Sequence, residues 1–187
     1  LFPILTTGEL IGPLSLSSLN GLALDANTGT LYGIDIATDT LVRIDRETGS
    51  LEEVGPLEVN FPGVAGLAFD PVSKILYATS NGEAANLYKV DTLTGAAIQV
   101  GPLGINMPGL AYVPGEETLY GVSGQDDTLY QIDPATGDAT SIGPLGINVS
   151  YNGLAYSAYH DTLFLVTSSA TERLYSIDRT SGTATQI

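Results

Sequence analysis

Short apolar runs, separated by Gly, Pro, Asn and Asp, follow one another along the whole chain. The runs are rich in Leu, Ile, Val, Tyr and Thr, a composition typical of β-strands between turns. No window places apolar residues at the spacing of an amphipathic helix, and 22 Gly and 10 Pro interrupt the chain throughout. The pattern therefore predicts an all-β protein.

Four of these runs recur in a fixed order, so the chain is built from a repeat. We name them strands A to D. Strand A contains Gly-Leu-Ala and begins at Gly21, Gly66, Gly109 and Gly153. The other three follow it in each unit: strand B at 30–35, 75–80, 118–123 and 162–168; strand C at 41–45, 87–91, 129–133 and 174–178; strand D at 48–57, 94–103, 136–145 and 181–187. A four-stranded unit of about 40–50 residues predicts a β-propeller blade.

A fifth TG…GPL segment at residues 7–14 precedes the first full unit, and residues 1–4 align with strand C. We therefore expect one β-propeller domain over residues 1–187, with a leading half blade at 1–14. The four full repeats then lie at about 15–57, 58–103, 104–145 and 146–187. Three roles stay open for the half blade: a clasp that closes a four-bladed ring, part of a larger propeller from which this chain is a segment, or a strand donor to a neighbouring copy.

The motif LYxID-xxTG-xxxx-(V/I)GPLG followed by GLA resembles the repeats of bacterial secreted or surface β-propeller proteins, which are largely uncharacterised. This resemblance covers nearly the whole chain. It implies the propeller fold and an extracellular or cell-surface location. It implies no particular activity, because motifs of this kind hold blades together and the fold hosts many functions.

The chain is strongly acidic, with 21 Asp and Glu against 6 Lys and Arg and a net charge of −15. Binding to nucleic acid is disfavoured, because phosphates need clustered cations. No apolar run approaches the length of a membrane span. The absence of Cys excludes disulfides, thiolate metal sites and a Cys nucleophile. The chain begins at Leu1 without Met, and we expect a processed or trimmed product.

Asp residues stand at the ends of strands A and C, in sequences such as Asp45-Arg46-Glu47-Thr48-Gly49. An Asp in this place accepts turn N–H groups, and the Gly supplies a positive φ. The alternative is a set of Ca²⁺ loops, but nothing matches an EF-hand, so no cofactor is expected. The one His, His160, lies in a predicted A–B turn and is interpreted as a surface residue.

The loops that join strand D to strand A, and strand B to strand C, should lie together on one face of the propeller. An Asn recurs in the D–A loops, with apolar or aromatic residues close to it. If the ring closes, these residues form a collar at the axial mouth, which either caps the loops and plugs the channel or binds a ligand or ion. Together with two carboxylates of a B–C loop, the candidate binding residues are Asn60, Phe61, Asn106, Met107, Asn148, Tyr151, Asp126 and Asp127.

The sequence favours a non-enzymatic extracellular module that acts as a structural scaffold or binds a protein or glycan ligand. Such a module could also form a homo-oligomer by strand exchange through its N-terminal strands. The alternative is a hydrolase or lyase that acts at the axial pocket with Asp126, Asp127, Asn106 and Tyr151. The scaffold is favoured because the repeat breaks its symmetry mainly at the termini and in loop length, and polar outliers do not gather at one place.

Overall fold

The computed structural model describes residues 11–12, 18–63, 66–82, 84–168 and 173–187. It confirms the all-β prediction: a single 3₁₀ turn, Pro114–Glu116, is the one helical element in that part of the chain. The predicted half blade at 1–14 falls mostly on residues outside these described ranges.

The strands are β1 Leu19–Asp25, β2 Thr30–Asp35, β3 Thr40–Ile44, β4 Leu51–Pro56, β5 Gly66–Asp70, β6 Ile75–Thr79, β7 Asn86–Val90, β8 Ala97–Pro102, β9 Gly109–Val113, β10 Thr118–Ser123, β11 Thr128–Ile132, β12 Ala139–Pro144, β13 Asn152–Ser157, β14 Thr162–Thr167, β15 Arg173–Ile177 and β16 Ala184–Gln186.

The sixteen strands form four antiparallel sheets, each made of four consecutive strands in chain order. We call the sheets blades 1 to 4. Strands A to D of each repeat become the four strands of one blade, as the sequence predicts. The chain is thus a four-bladed β-propeller built from four-stranded sheets.

The A strands lie innermost and connect the blades. Strand β1 packs against β5, β5 against β9, and β9 against β13. The core lies between neighbouring blades, where both faces of a sheet are covered. Aromatic rings stack between neighbouring blades at two places in this core. The rings of Tyr32 and Phe69 have centroids 6.3 Å apart, and those of Tyr77 and Tyr112 have centroids 6.1 Å apart.

The Gly-Pro-Leu motif at the end of strand D joins each blade to the next one. A Cβ on Gly55 would lie 2.2 Å from the carbonyl oxygen of Thr94, so only glycine permits this approach of the two backbones. Two residues on, Leu57 is fully buried and its carbonyl accepts a hydrogen bond of 2.9 Å from the Ala97 N–H. The recurring motif is therefore explained by contact between blades.

Gly12, the first residue of the leading Gly-Pro-Leu sequence, occupies the same kind of position in front of blade 1. A Cβ on Gly12 would lie 2.0 Å from the carbonyl oxygen of Thr48, just as Gly55 meets Thr94. Gly12 thus takes the place of the glycine of a preceding strand D.

The described part of the chain is an open arc. A Cβ on Gly66 would lie 3.0 Å from the Cβ of Leu110 in the next blade, and one on Gly109 would lie 3.2 Å from that of Leu154. Gly153, at the same position of blade 4, has no such neighbour within 4 Å. Among the described residues, no contact comparable to those between successive A strands joins β13 to β1.

Candidate functional site

Each blade is an antiparallel meander, so its connections alternate between two ends. The A–B and C–D turns lie at one end, which we call the turn face. The B–C and D–A loops lie at the other end, which we call the loop face. The sequence places its candidate binding residues on the loop face.

The aspartates of the turn face build turns. The Asp45 carboxylate accepts the N–H groups of Glu47 at 2.9 Å and Thr48 at 2.8 Å. These backbone hydrogen bonds hold the pKa of Asp45 below its usual value. Equivalent bonds reach Asp91, Asp133 and Asp178. The turn interpretation is confirmed, and within the described residues no three acidic or His side chains come together as a metal site.

His160 lies on the surface of the A–B turn of blade 4, as the sequence predicts. Its Nδ1 is 3.1 Å from the Ser157 hydroxyl, and its ring packs edge-on against Tyr159 and Phe164. Asp161 instead pairs with Arg179. His160, Ser157 and Asp161 are therefore not arranged as a catalytic triad.

The apolar collar residues lie beneath the loops. Phe61 is 2% exposed and Met107 fully buried, and Val149 takes the corresponding place before blade 4 at 1%. Phe61 packs against Tyr88 with ring centroids 4.9 Å apart. Phe61 and Met107 are thus core residues that fill the space between blades. They do not face a ligand, because burying these apolar side chains is more favourable than exposing them to water at the axial mouth. Asn60 remains exposed.

Two B–C loop aspartates secure the next D–A loop. Asp39 and Asp127 both adopt a positive φ, of 50° and 54°. The Asp39 carboxylate accepts the Phe61 N–H at 3.0 Å, and that of Asp127 accepts the Val149 N–H at 2.8 Å. The Asn148 side chain also donates to Asp127, at 3.3 Å. Asp127 and Asn148 therefore stabilise the conformation of the D–A loop on the loop face.

Asp126 makes a different contact. Its carboxylate accepts a hydrogen bond of 2.5 Å from the Tyr130 hydroxyl. Burial, reinforced by this bond, raises the pKa of Tyr130 to about 12. Asp126 does not line the cleft described next, and neither does Asp127, so the four residues of the enzyme hypothesis are not brought to one place.

Asn106 and Tyr151 do meet, in a cleft of about 330 Å³ on the loop face of blades 2 to 4. We call it the loop-face cleft. The Asn106 side-chain oxygen accepts the Gly82 N–H at 2.9 Å, and the Asn106 N–H donates to the Gln125 side-chain oxygen at 2.9 Å. The Tyr151 side chain is 63% exposed. The lining residues are Asn81, Asn106, Pro108, Gly124, Gln125, Ser150 and Tyr151.

An apolar groove runs along the axis beside this cleft, and Pro108 borders both. The leucines of the four A strands line it: Leu22, Leu67, Leu110 and Leu154. Asn152 also lines it, and the side-chain amide atoms of Asn152 are buried without a hydrogen-bond partner in the described part of the chain. Gln125 and Asn152 were not among the residues predicted from the sequence, because an isolated side-chain amide carries no recognisable pattern.

An ionic cluster on the turn face was not predicted from the sequence either. The Arg179 guanidinium pairs with Glu116 of blade 3 at 2.9 Å and with Asp161 of blade 4 at 2.9 Å. It also lies over the Tyr156 ring, 5.7 Å from the centroid. The Tyr120 hydroxyl donates to Glu116. Since all of these groups are paired with one another, the cluster is a staple between two blades.

The fold defines a β-propeller protein built from repeats. A family model described as a repeat of unknown function, DUF6923, matches residues 7–159. The chain therefore belongs to this repeat family. No curated protein matches the chain significantly. In the described residues, no helix is long and apolar enough to cross a bilayer.

Solved structures share the fold at low sequence identity. A protein of unknown function from Bacteroides thetaiotaomicron VPI-5482 is 18% identical, with a TM-score of 0.70 over 91% of this chain and 43% of its own. The PQQ-bound aldose sugar dehydrogenase of Streptomyces coelicolor is 20% identical, with a TM-score of 0.62 over 88% and 61%. A nidogen/laminin complex contains a chain at 16% identity, with a TM-score of 0.64 over 86% and 72%. The chain thus spans less than two thirds of the first two.

Proposed function

We propose that the protein is a non-enzymatic extracellular scaffold that binds neutral carbohydrate in the loop-face cleft. The observation that carries this proposal is the position of an exposed tyrosine, Tyr151, beside the side-chain amides of Asn106 and Gln125. The fold alone does not distinguish a binding protein from an enzyme, because its solved neighbours include both a dehydrogenase and a nidogen/laminin complex.

The chemistry of the cleft fits a sugar ring. A pyranose has an apolar C–H face and an edge of hydroxyl groups. The Tyr151 ring offers a flat apolar surface for the first, with a polar hydroxyl at its end. Side-chain amides both donate and accept hydrogen bonds, so they suit hydroxyl groups, which do the same.

The two amides are held in place before any ligand arrives. Asn106 accepts the Gly82 N–H through its side-chain oxygen, and Gln125 accepts the Asn106 N–H through its own. The Nδ2 of Asn106 and the Nε2 of Gln125 have no protein partner among the described residues and can donate to a ligand. Prior fixation of binding groups lowers the entropy that binding costs.

The charge of the protein restricts the class of ligand that the loop-face cleft can bind. The residues that line the cleft carry no charged side chain, and the chain has a net charge of −15. An acidic polysaccharide would meet repulsion without a compensating cation, whereas a neutral one is unaffected. The same acidity favours solubility in a salty medium, which fits our placement of the protein outside the cell or on its surface.

The test is a glycan array followed by calorimetry with the neutral glycans that bind. We expect Tyr151→Ala to weaken binding at least about tenfold, since aromatic residues dominate binding energies of this kind. Gln125→Ala should weaken it less. The matched control is Tyr159→Ala, because Tyr159 is a 90% exposed tyrosine on the opposite, turn face.

The control variant should bind like the wild type. Absence of binding to every neutral glycan would refute the proposal, as would equal effects of Tyr151→Ala and Tyr159→Ala. Hydrolysis of a bound glycan would refute the non-enzymatic part alone, and a protein ligand that depends on Tyr151 would replace the carbohydrate.

A further inference from the structure

Three Asn-Gly pairs occur in the chain, at 20–21, 81–82 and 152–153. The side chain of an Asn can react with the peptide nitrogen of a following Gly, because no Cβ hinders the approach of the two groups. The nitrogen loses its proton and bonds to Cγ, the Cγ–Nδ2 bond breaks, and the departing ammonia takes up a proton. Water then opens the cyclic succinimide and leaves aspartate or isoaspartate in place of the Asn.

Strand pairing restrains two of these three Asn-Gly pairs. Asn152 and Gly153 both lie in β13 and pair with residues of β14. Asn20 pairs with Ile34 of β2, and the pairing resumes directly after Gly21. Closure of the succinimide has to turn the peptide plane of the glycine, and the hydrogen bonds between paired strands oppose this movement. The strands therefore slow the reaction at both sites.

The third pair, Asn81 and Gly82, lies in the B–C loop of blade 2, after β6 and before β7. Neither residue belongs to the strand pairs that β6 forms with its two neighbours. Gly82 is exposed to water and has a φ of 114°, a conformation that glycine adopts without strain. This pair is thus the one of the three that lies outside the strands.

A hydrogen bond from the neighbouring D–A loop restrains this B–C loop. The Gly82 N–H donates to the side-chain oxygen of Asn106 at 2.9 Å. The bond holds the proton on the nitrogen that would attack and fixes the plane of its peptide group. Since both have to change before the nitrogen bonds to Cγ, the reaction proceeds from the fraction of molecules in which this hydrogen bond is open.

We propose that Asn81 is a site of self-modification through a succinimide, and that Asn106 sets the rate at which it reacts. Water is the one co-reactant that the conversion requires. The product is a carboxylate at a position that lines the loop-face cleft, and the lining residues otherwise carry no charged side chain. Conversion of Asn81 therefore gives this cleft a negative charge that the sequence itself does not encode.

The test incubates the folded protein in a mildly alkaline buffer, which favours loss of the peptide proton, and then maps its peptides by mass spectrometry. In the wild type, the mass change from amide to carboxyl should accumulate faster at Asn81 than at Asn20 or Asn152. Asn106→Ala removes the acceptor, and conversion at Asn81 should become about two- to tenfold faster, the effect of losing one hydrogen bond. Asn106→Asp keeps an acceptor oxygen and should return the rate to the wild-type value or below it.

Asn60→Ala is the matched control, because Asn60 is an exposed asparagine at the same place of the preceding D–A loop; it should leave the rate at Asn81 unchanged. The sites at Asn20 and Asn152 report any general loosening of the fold within each variant. An equal rise at all three sites in Asn106→Ala overturns the inference. So does a rate at Asn81 that this variant leaves unchanged, or the absence of conversion at Asn81.

The measurement is independent of the carbohydrate proposal, because it uses no glycan. A cleft that binds no carbohydrate leaves the expected rates as they are, and unchanged rates leave the expected glycan binding as it is. Ion-exchange chromatography of the incubated protein detects the added negative charge separately, with Asn81→Asp as the standard for the converted protein.

Discussion

The carbonyl oxygen of Thr136 occupies the space that a side chain on Gly101 would need: a Cβ on Gly101 would lie 1.9 Å from it. Gly101 is the residue before the last one of strand D of blade 2, and Thr136 lies in the C–D turn of blade 3. The same relation recurs between Gly55 and Thr94 and between Gly143 and Ser181. Direct backbone contact therefore fixes the distance between successive blades at the rim.

We expect Gly101→Ala to lower the free energy of unfolding by about 1–3 kcal/mol, because the added methyl group forces the two blades apart. Chemical denaturation measures this loss. Gly115→Ala is the matched control, since a Cβ there meets nothing within 4 Å, and its stability should stay close to that of the wild type. Equal stabilities of the two variants would contradict this account of the Gly-Pro-Leu motif.

Asp127 holds the D–A loop through the Val149 N–H and has a positive φ. Asp127→Ala removes the acceptor and places a less tolerant residue in the left-handed region, so we expect a loss of about 1–2 kcal/mol. Asp127→Asn keeps an acceptor oxygen and a residue that tolerates this φ, and should recover most of the loss. Hydrogen exchange at the Val149 amide should be faster in the Ala variant only; equal exchange in both variants would argue against the role of this bond.

Arg179 joins blades 3 and 4 through Glu116 and Asp161. Arg179→Ala should cost about 0.5–1 kcal/mol, since the pairs are partly exposed and screened by water. The loss should shrink as salt is added. Arg46→Ala is the matched control, because Arg46 stands at the same position of blade 1 and forms no ion pair with a described residue. Denaturation at low and high ionic strength distinguishes the two, and a salt-independent loss would assign the effect to packing.

Asp35 gives the protein a predicted sensitivity to acid. Its carboxylate accepts hydrogen bonds from the Ser18 hydroxyl at 2.7 Å, the Ala37 N–H at 3.0 Å and the Thr38 hydroxyl at 3.0 Å. The bond from Ser18, followed by those from Ala37 and Thr38, lowers the pKa of Asp35 in the folded chain. The unfolded chain therefore takes up the proton at a higher pH than the folded chain does.

It follows that the stabilisation by Asp35 is complete above the pKa of the unfolded chain and is lost as the pH falls through that of the folded chain. Asp35→Asn removes this titration. We expect the variant to be less stable than the wild type near neutral pH, and the difference to shrink below about pH 4. Denaturation between neutral pH and pH 3 measures it, and a difference that does not change with pH would show that Asp35 acts without its charge.

The strands, the blades and the turns could be predicted from the sequence. The Gly-Leu-Ala, Leu-Tyr and Gly-Pro-Leu phrases predicted the strands and the four blades, and the Asp residues predicted the turns, because both depend on short-range rules of alternation and turn chemistry. The interpretation of Phe61 and Met107 as plugs agrees with their burial, whereas their candidacy as ligand contacts does not. The staple at Arg179 was not predicted, because Glu116 lies 63 residues away from it in the chain.

The repeated sequence by itself determined the strands, the blade and the chemistry of each turn, since these follow from residues close together in the chain. Tertiary structure decided which of the similar residues differ in role. Leu22 and Leu110 stand in the same motif, yet one is 59% and the other 2% exposed, because only the second has a preceding blade that fully covers it. Likewise, Asn106, Gln125 and Tyr151 become neighbours only where loops of different blades meet.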